Sequence, residues 1–384
     1  MGNSGQLAGA VVLGMHRSGT SAVAGFLAKA GFYAGDDDEL LPAAEDNPTG
    51  FFERADVNGL NDELLAGLGG AWDKPPPRAL VADKAPAWRP KVDEVLAHLR
   101  SAGAGRPLVV KDPRIGLTLP AWQPALEQSF AVVLVDRSPM DIALSMRSRD
   151  GRPLYVALAL WQLYCAELLE GFAGRRALVV RYESFVKGPG AEGGRLLEQL
   201  GEVLSSAQMA TVDAGRAGHF VSPELRHHRT ALKSASNLEV LTGAQLSLAR
   251  WLAELPEGWT ELRPPARLRA QPAAVLATVA EYYDAVADRF GMETAYDLER
   301  HKALHFEQAT ELKDRHIENI EGAIAGLRRQ VESQSSRITD LEDENERLRA
   351  TISSLREELR TLREDGRAAA GNLVALARRS LSGR

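Results

Sequence analysis

Four short apolar runs, separated by segments long enough to form helices, constrain the fold of this chain most strongly. They are VVLG at 11–14, LVVKD at 108–112, FAVVLVDR at 130–137 and ALVVRY at 177–182. Continuous β-branched runs of this length are typical of strands covered on both faces in a parallel sheet. The intervening segments predict helices at Thr20 to Ala30, Met140 to Arg149, Leu154 to Phe172 and Arg195 to Leu204. We therefore expect an α/β domain with a central parallel sheet.

The hydrophobic pattern changes near His316. With Ile317 at heptad position a, the fourteen seam positions up to residue 362 are apolar except for Gln334 and Asn345. β-branched residues at a with Leu at d favour two parallel strands, and a single Asn at a fixes the register and the dimeric state. We expect three parts: an α/β domain at 1–300, a linker helix and parallel dimeric coiled coil at 301–365, and a basic, disordered tail at 366–384.

Composition excludes several classes of protein. The net charge of -6 argues against a nucleic-acid-binding protein. The run LAGAVVLGM is too short to span a bilayer. The single cysteine, Cys165, cannot form an internal disulfide, and the scattered histidines predict no metal site. We expect a cytoplasmic protein without a transmembrane segment.

The segment GMHRSGTS at 14–21 follows the first predicted strand and is close to a phosphate-binding loop. Gly14 and Gly19 keep the glycine spacing and Ser21 keeps the hydroxyl, but Thr20 stands at the lysine position. Such a loop can bind an anion through backbone N–H groups, yet it lacks the lysine on which metal-assisted γ-phosphoryl transfer depends. Arg17 places a cation inside the loop instead. The alternative is a tight strand-to-helix turn without a ligand.

A second arginine and hydroxyl lie beyond the strand at 130–137. Arg137 ends this strand, and Ser145 follows eight residues later in a helix that Pro139 helps to start. This places both side chains at the carboxyl edge of the sheet, where open α/β sheets bind ligands. A second anion fits there, although a surface arginine and a helical serine would give the same pattern.

GMHRSGTS, VVKDPR at 109–114 and VDRSPMDIALS at 135–145 together resemble the PAPS-dependent sulfotransferase family, particularly its bacterial branch. The resemblance covers roughly residues 8–235. It implies a P-loop-like three-layer domain that binds 3′-phosphoadenosine-5′-phosphosulfate (PAPS) and needs no metal. In that family the first motif holds the 5′-phosphosulfate, and the arginine and serine of the third motif hold the 3′-phosphate.

The same resemblance implies roles for individual residues. Arg17 would stabilise the charge that grows on the bridging oxygen as the S–O bond breaks, while Arg137 and Ser145 would hold the 3′-phosphate. A basic segment at 221–230, VSPELRHHRT, would close over the cofactor phosphates through Arg226 and Arg229. The donors to the 5′ end would be Ser18, Gly19, Thr20 and Ser21.

The acceptor hydroxyl requires a general base, and two carboxylates compete for this role. Glu53 ends NPTGFFE (47–53), where Phe51 and Phe52 would desolvate the carboxylate and raise its pKa. Asp112 ends a strand near the cofactor, where Lys111 and Arg114 would keep it ionised. We favour Glu53, and His16 is a third candidate.

The expected activity is transfer of a sulfuryl group from PAPS to a hydroxyl of a carbohydrate or glycoconjugate, in a homodimer held by the coiled coil. Tryptophans are candidates for stacking on a sugar, although core packing is their commoner role; they are Trp72, Trp88, Trp122 and Trp161. Two other functions stay open. One is a P-loop nucleotide kinase or hydrolase, which Thr20 disfavours, and the other is a non-catalytic coiled-coil scaffold with a degenerate nucleotide-binding domain.

Overall fold

The structure of the protein is a computed structural model, in which the chain divides into two compact units, Met1–Leu312 and Lys313–Arg384. It describes residues 7–44, 47, 49–217, 220, 241–286, 334, 337, 342–368 and 370–378. The basic segment with Arg226 and Arg229 lies outside these residues. So does most of the predicted coiled coil before residue 342.

A five-stranded sheet in the order β2-β1-β3-β4-β5 forms the centre of the first unit. Its strands are β1 (Gly9–Leu13), β2 (Leu108–Lys111), β3 (Phe130–Asp136), β4 (Arg176–Arg181) and β5 (Gly258–Glu261). The four predicted strands are confirmed and pair in parallel. The expected parallel pairing thus holds for these four strands, whereas β5 pairs antiparallel with β4. This edge strand reads GWTE, which contains no apolar run that would predict it.

Helices connect the strands. They are α1 (Thr20–Ala30), α2 (Ala55–Gly67), α3 (Arg78–Ala102), α4 (Ile115–Ser129), α5 (Pro139–Asp150), α6 (Leu154–Gly171), α7 (Tyr182–Lys187), α8 (Pro189–Gly201), α9 (Ser206–Met209), α10 (Ala214–Ala217), α11 (Gly243–Glu254) and α12 (Ala266–Arg269). A further helix, α13, occupies residues 273–286. The predictions for α1, α5 and α6 agree with these bounds to within one residue at each end. The predicted Arg195 to Leu204 helix begins earlier, at Pro189, and ends at Gly201.

Successive side chains of β1 point to opposite faces of the sheet, and each face has its own apolar core. Val11 and Leu13 pack in one apolar cluster with residues of α2, α3 and α4. Ala10 and Val12 pack in a second cluster with residues of α1 and α8. Because successive strand residues point to opposite faces, the sheet is covered on both sides and the domain has three layers.

The strand order positions the loop after β1. Strands β1, β2 and β3 are parallel, so their carboxyl ends lie at one edge of the sheet. β1 lies between the other two, with Lys111 at the end of β2 on one side and Arg137 directly after β3 on the other. Two cations from distant parts of the sequence therefore flank the loop.

The second unit contains a helix over residues 342–368 and 370–378, which we call the C-terminal helix. All five of the large apolar side chains between residues 348 and 362 are at least 49% exposed. They are Leu348, Ile352, Leu355, Leu359 and Leu362. In the described part of the chain, every helix is too short or too polar to cross a membrane.

Candidate active site

The loop between β1 and α1 has a conformation that depends on Gly19. This residue has φ 95°, and a Cβ atom there would lie 2.0 Å from Cδ2 of Tyr182. No side chain caps the start of α1. The first N–H groups of a helix have no intrahelical acceptor, so this end of α1 offers donors and a positive dipole to an anion.

The two motifs that the sequence places 120 residues apart meet at this loop. Nε of Arg17 donates a hydrogen bond to Oγ of Ser145 at 2.9 Å. Nη1 of Arg137 donates to the carbonyl oxygen of Arg17 at 2.7 Å. The Arg137 guanidinium also lies 4.5 Å from the ring centre of Tyr182. Arg17, Arg137 and Ser145, proposed separately as ligands of two anionic groups, therefore form one cluster.

Lys111 provides a cation at the other end of the loop. Its Nζ donates to Oγ of Ser21 at 3.0 Å and to the carbonyl oxygen of Phe51 at 3.3 Å, and it forms a buried ion pair with Glu53. The ammonium group that Thr20 does not supply thus comes from the neighbouring strand. The sequence motifs did not identify Lys111 as a residue of the site. The feature that could have identified it is a charged residue at the end of an otherwise apolar strand.

Glu53 is buried and has partners on both carboxylate oxygens. Oε1 pairs with Lys111, while Oε2 accepts a hydrogen bond from Asn58 at 3.3 Å and lies 3.6 Å from Nη1 of Arg114. Burial raises the pKa of Glu53, and the charge of Lys111 opposes this shift. The predicted environment is only partly present. Phe51 lines the cleft with Glu53, whereas Phe52 packs against Phe220 at a ring distance of 5.3 Å.

Asp112 is fully buried and belongs to the support of the site rather than to its surface. Its Oδ1 accepts a hydrogen bond from the backbone N–H of Arg114 at 2.7 Å and lies 3.3 Å from Nη1 of the same residue. Lys111, which we expected to hold Asp112 ionised, pairs with Glu53 instead. Asp112 is not among the residues that line the cleft.

His16 lines the cleft and is enclosed by aromatic rings. Its ring centre lies 4.5 Å from that of Trp72 and 5.8 Å from that of Tyr164. Burial lowers the pKa of His16 well below its usual value, and the charges of Arg114 and Arg149 lower it further. The imidazole is therefore neutral at pH 7. Its Nε2 is buried and has no hydrogen-bond partner among the described residues.

An open cleft of about 850 Å³ connects these groups. It is lined by His16, Arg17, Gly19, Thr20, Ser21, Ala22, Asn47, Thr49, Phe51, Glu53, Lys111, Pro113, Arg137, Ser145, Arg149 and Tyr182. Four cationic side chains face a single carboxylate, Glu53, so the cleft carries a net positive charge and favours an anionic ligand.

Two buried donors next to the loop have no partner in the described part of the chain. They are Oγ of Ser18 and Nε of Arg137. Buried polar atoms normally form hydrogen bonds, and leaving one unpaired costs free energy. Unpaired donors in a cationic cleft are consistent with an anionic ligand. The described residues contain no cluster of acidic, histidine or cysteine side chains suited to a metal ion.

Comparison with solved structures finds several similar chains, and two of them are described here. One is the sulfotransferase domain from the curacin biosynthetic pathway, with a TM-score of 0.33 and 18% identity over 65% of this chain and 100% of that domain. The other is the sulfotransferase domain from the Synechococcus PCC 7002 olefin synthase, with a TM-score of 0.31 and 18% identity over 72% and 94%. Both are sulfotransferase domains.

No protein-family model matches the chain, and no curated protein matches it.

Proposed function

We propose that this protein transfers a sulfuryl group from PAPS to a hydroxyl of a carbohydrate or glycoconjugate, without a metal ion. The observation that carries the proposal is the meeting of Arg17, Arg137 and Ser145 in one cleft with Lys111 and Glu53. PAPS carries anionic groups at the 3′ and 5′ positions of its ribose, and the loop after β1 has a cation on each side, Lys111 and Arg137. A cytoplasmic location is inferred from the sequence alone.

The described residues fit this cofactor. The uncapped start of α1 and the unpaired Oγ of Ser18 would receive the 5′-phosphosulfate. Arg137 and Ser145 would hold the 3′-phosphate, since a guanidinium matches the geometry of a phosphate. The unpaired Nε of Arg137 is a donor available for that purpose. Thr20 and Ser21 add side-chain hydroxyls at the first turn of α1.

PAPS, when bound, supplies the sulfuryl group: the acceptor oxygen forms a bond to sulfur while the bond from sulfur to the phosphate oxygen breaks. The electron pair of that bond stays on the phosphate. Lys111, which is buried next to Ser21, would stabilise this negative charge. Arg17 would assist from the Ser145 side of the loop. The family resemblance suggested Arg17 alone for this task.

Glu53 is our proposed base for the proton of the acceptor hydroxyl. It lines the cleft, whereas Asp112 does not, and burial raises its pKa, which makes its carboxylate a stronger base. Lys111 touches both Glu53 and Ser21. The cation that stabilises the leaving group thus also lies next to the base. Asp112 would act through Arg114, and the neutral His16 remains the third candidate.

A P-loop kinase or hydrolase is the less favoured alternative. In such enzymes the loop hydroxyl at the position of Ser21 binds magnesium. Here Nζ of Lys111 lies 3.0 Å from that hydroxyl, and an ammonium at this distance competes with a divalent cation for the same place. A non-catalytic scaffold would not need the buried Lys111–Glu53 pair.

We also propose that the C-terminal helix pairs with a second copy of this chain. The exposed residues Leu348, Ile352, Leu355, Leu359 and Leu362 occupy successive d and a positions of one heptad frame. Leu373 and Leu376 fall in the same frame and are 69% and 68% exposed. An isolated helix leaves this stripe in water, and a second copy would bury it.

The charges beside the stripe favour a parallel, in-register pair. In that arrangement each g position faces the e position five residues later in the partner helix. Three of these pairs combine opposite charges, and the fourth joins Thr351 to Arg356. The charged pairs are Arg337 with Glu342, Glu344 with Arg349, and Glu358 with Arg363.

Release of 3′-phosphoadenosine-5′-phosphate from PAPS tests the proposed chemistry. The full chain is incubated with PAPS in EDTA or in magnesium, with and without a pool of hydroxyl acceptors, and compared with Arg137→Ala. We expect acceptor-stimulated release from the wild type that Arg137→Ala reduces at least about tenfold. Release that requires magnesium, or that is equal in the two proteins, would contradict the proposal.

A further inference from the structure

Aromatic side chains continue the cleft beyond His16. Trp72 contacts His16, and Arg149, which lines the cleft, lies with its guanidinium 5.2 Å from the Trp72 ring centre. The guanidinium of Arg152 lies 4.8 Å from the ring of Trp72 and 5.9 Å from that of Tyr283. A path of stacked groups thus leads from the cleft to Tyr283.

Two more tyrosines extend this path to the surface. The ring of Tyr282 lies 5.1 Å from that of Tyr283 and 6.3 Å from that of Tyr155. Tyr155 belongs to the first turn of α6, and the other two belong to α13. We call Trp72, Tyr155, Tyr282 and Tyr283 the aromatic surface. Three separate parts of the chain contribute to it.

Polar contacts hold the aromatic surface in place. Oδ2 of Asp73 accepts hydrogen bonds from Nη2 of Arg152 at 3.1 Å and from the hydroxyl of Tyr283 at 2.8 Å. Lys74 pairs with Asp284 of α13 at 3.0 Å. These contacts fix the loop that carries Trp72 to α13 and to the segment before α6. The rings are therefore positioned before any ligand arrives, which reduces the entropic cost of binding.

Tyr155 is more exposed than the other large apolar side chains described in the first unit. Tyr155 is 54% exposed, and within the described residues of Met1–Leu312 the only other large apolar side chain in this class is Leu80, at 39%. The other candidate tryptophans lie in the core, since Trp122 and Trp161 are buried and Trp88 packs against a core cluster. Core packing does not account for an exposed tyrosine beside the path of rings.

The charges around the aromatic surface balance. Arg152 pairs with Asp73 and Asp150, and Arg149 pairs with Asp150 at 2.9 Å. Two guanidinium groups are thus matched by two carboxylates, and Arg149, which also lines the cleft, is the only one of its four cations in these pairs. Nη1 of Arg152 is buried and lacks a partner among the residues that the structure describes. A neutral ligand rich in hydroxyl groups suits such a surface better than a polyanion.

We propose that the aromatic surface binds the acceptor as a neutral oligosaccharide, with a sugar ring stacked on the exposed Tyr155 and its neighbour Tyr282. Aromatic side chains offer an apolar face to the C–H side of a sugar, while the neighbouring Arg and Asp side chains bond its hydroxyl groups. The inference rests on the proposed sulfuryl transfer, because it takes the ligand to be the acceptor. An oligosaccharide bound there would extend past Trp72 and His16 into the cleft, where Glu53 and Lys111 lie.

Saturation-transfer NMR on the full chain tests this inference. The probes are three neutral hexasaccharides, maltohexaose, cellohexaose and chitohexaose, with a heparin hexasaccharide as the anionic comparison. We expect at least one neutral probe to bind, and Tyr155→Ala or Tyr282→Ala to weaken it about tenfold. Tyr155→Phe, which keeps the ring, and Leu80→Ala, which changes the other exposed apolar residue, should both retain wild-type affinity.

Three results would overturn the inference: no neutral probe binds the wild type, Tyr155→Ala and Tyr282→Ala bind like the wild type, or the heparin hexasaccharide binds best. Titration of the same variants with 3′-phosphoadenosine-5′-phosphate separates this failure from failure of the proposed function. The affinity for this bisphosphate should be the same in the wild type and in every variant. Loss of sugar binding with intact bisphosphate binding supports the surface, whereas absence of bisphosphate binding in the wild type refutes the sulfuryl transfer itself.

Discussion

Nζ of Lys111, at the end of β2, lies 3.0 Å from Oγ of Ser21 in the first turn of α1. The loop GMHRSGTS has no lysine at the position where a P-loop nucleotide hydrolase carries it. A strand that is adjacent in space, although almost 100 residues away in sequence, supplies the ammonium group instead. This ammonium also holds Glu53. Lys111 therefore contacts both the proposed anion-binding loop and the proposed base.

Replacing Lys111 with methionine should weaken binding of 3′-phosphoadenosine-5′-phosphate at least about tenfold. The substitution removes a buried charge that faces the loop and leaves Glu53 without its closest partner. Calorimetric titration measures the affinity, and urea unfolding checks that the protein is folded. The double variant Lys111→Met/Glu53→Gln removes both charges and should recover stability but not affinity. Recovery of affinity in the double variant would show that Lys111 only neutralises Glu53.

Glu53→Gln and Asp112→Asn should separate the two candidate bases. The amide at 53 cannot accept the proton, so we expect acceptor-stimulated release of the bisphosphate product to fall about 100-fold. Its affinity for that product should stay within a few fold. Asp112→Asn should mainly lower the free energy of unfolding, because Asp112 contacts Arg114. Near-native turnover in both variants would exclude both carboxylates as the base.

Gly19→Ala should damage the loop more than a comparable change elsewhere. The new Cβ would meet the ring of Tyr182, and the residue would keep φ 95°. Gly151 has φ 72°, and a Cβ atom added there would have no neighbour within 4 Å, so Gly151→Ala isolates the cost of the left-handed conformation, about 1 kcal/mol. We expect a larger loss of stability in Gly19→Ala, together with loss of bisphosphate binding. Equal unfolding free energies in the two variants would refute the steric argument.

The sequence patterns predict most of the strands and several helices, but they do not predict which strands are adjacent in the sheet. The apolar runs predict four strands, and glycine and proline signals place α1 and α5 to within one residue. The sequence predicted two separate anion sites, one with Arg17 and one with Ser145, but not the contact between these two residues. Lys111 was missed because its role depends on β2 lying beside β1, a crossover that periodicity does not reveal.

Two long helices were also missed for a physical reason. α3 contains Pro86 and Pro90, and α4 contains Pro120 and Pro124. Proline normally ends or kinks a helix because it lacks an N–H and clashes with the preceding turn. Here tertiary packing outweighs that cost, since both helices contribute buried residues to the same apolar cluster. Tertiary contacts thus overrode the local signal.

Glu167 should make stability depend on pH. It is buried in α6 beside Arg78, and burial raises its pKa from 4.5 to about 7. A carboxyl with a raised pKa binds its proton more tightly in the folded chain, so the unfolding free energy falls as pH rises from about 4.5 to about 7. The loss is at most about 3.5 kcal/mol, at about 1.4 kcal/mol per pKa unit.

Urea unfolding of Glu167→Gln at pH 4.5 and pH 8 measures this contribution. The variant lacks the titrating group, so its stability should fall less than that of the wild type between the two values. Glu170→Gln, on the same helix but 37% exposed, serves as the control and should follow the wild type. Parallel pH profiles of Glu167→Gln and the wild type would contradict the prediction.

Charge reversal in the C-terminal helix tests the parallel pair. Arg349→Glu/Arg363→Glu should weaken self-association about tenfold, because Glu344 and Glu358 of a second copy would then face like charges. A chain with Glu344→Arg/Glu358→Arg should pair with this variant in preference to itself. Sedimentation equilibrium gives the masses, and Asn345→Leu should stabilise the pair and loosen its preference for two strands. A wild type that remains monomeric at micromolar concentration would refute the dimer.

Calorimetric titration with 3′-phosphoadenosine-5′-phosphate tests the central claim most directly. The ligand carries the 5′- and 3′-phosphates without the reactive sulfuryl group, and ATP with and without Mg²⁺ serves as the comparison. We predict micromolar binding to the wild type, loss of at least about tenfold in Arg137→Ala, and weaker binding of ATP. Absence of bisphosphate binding, or tighter binding of ATP that requires Mg²⁺, would contradict the account.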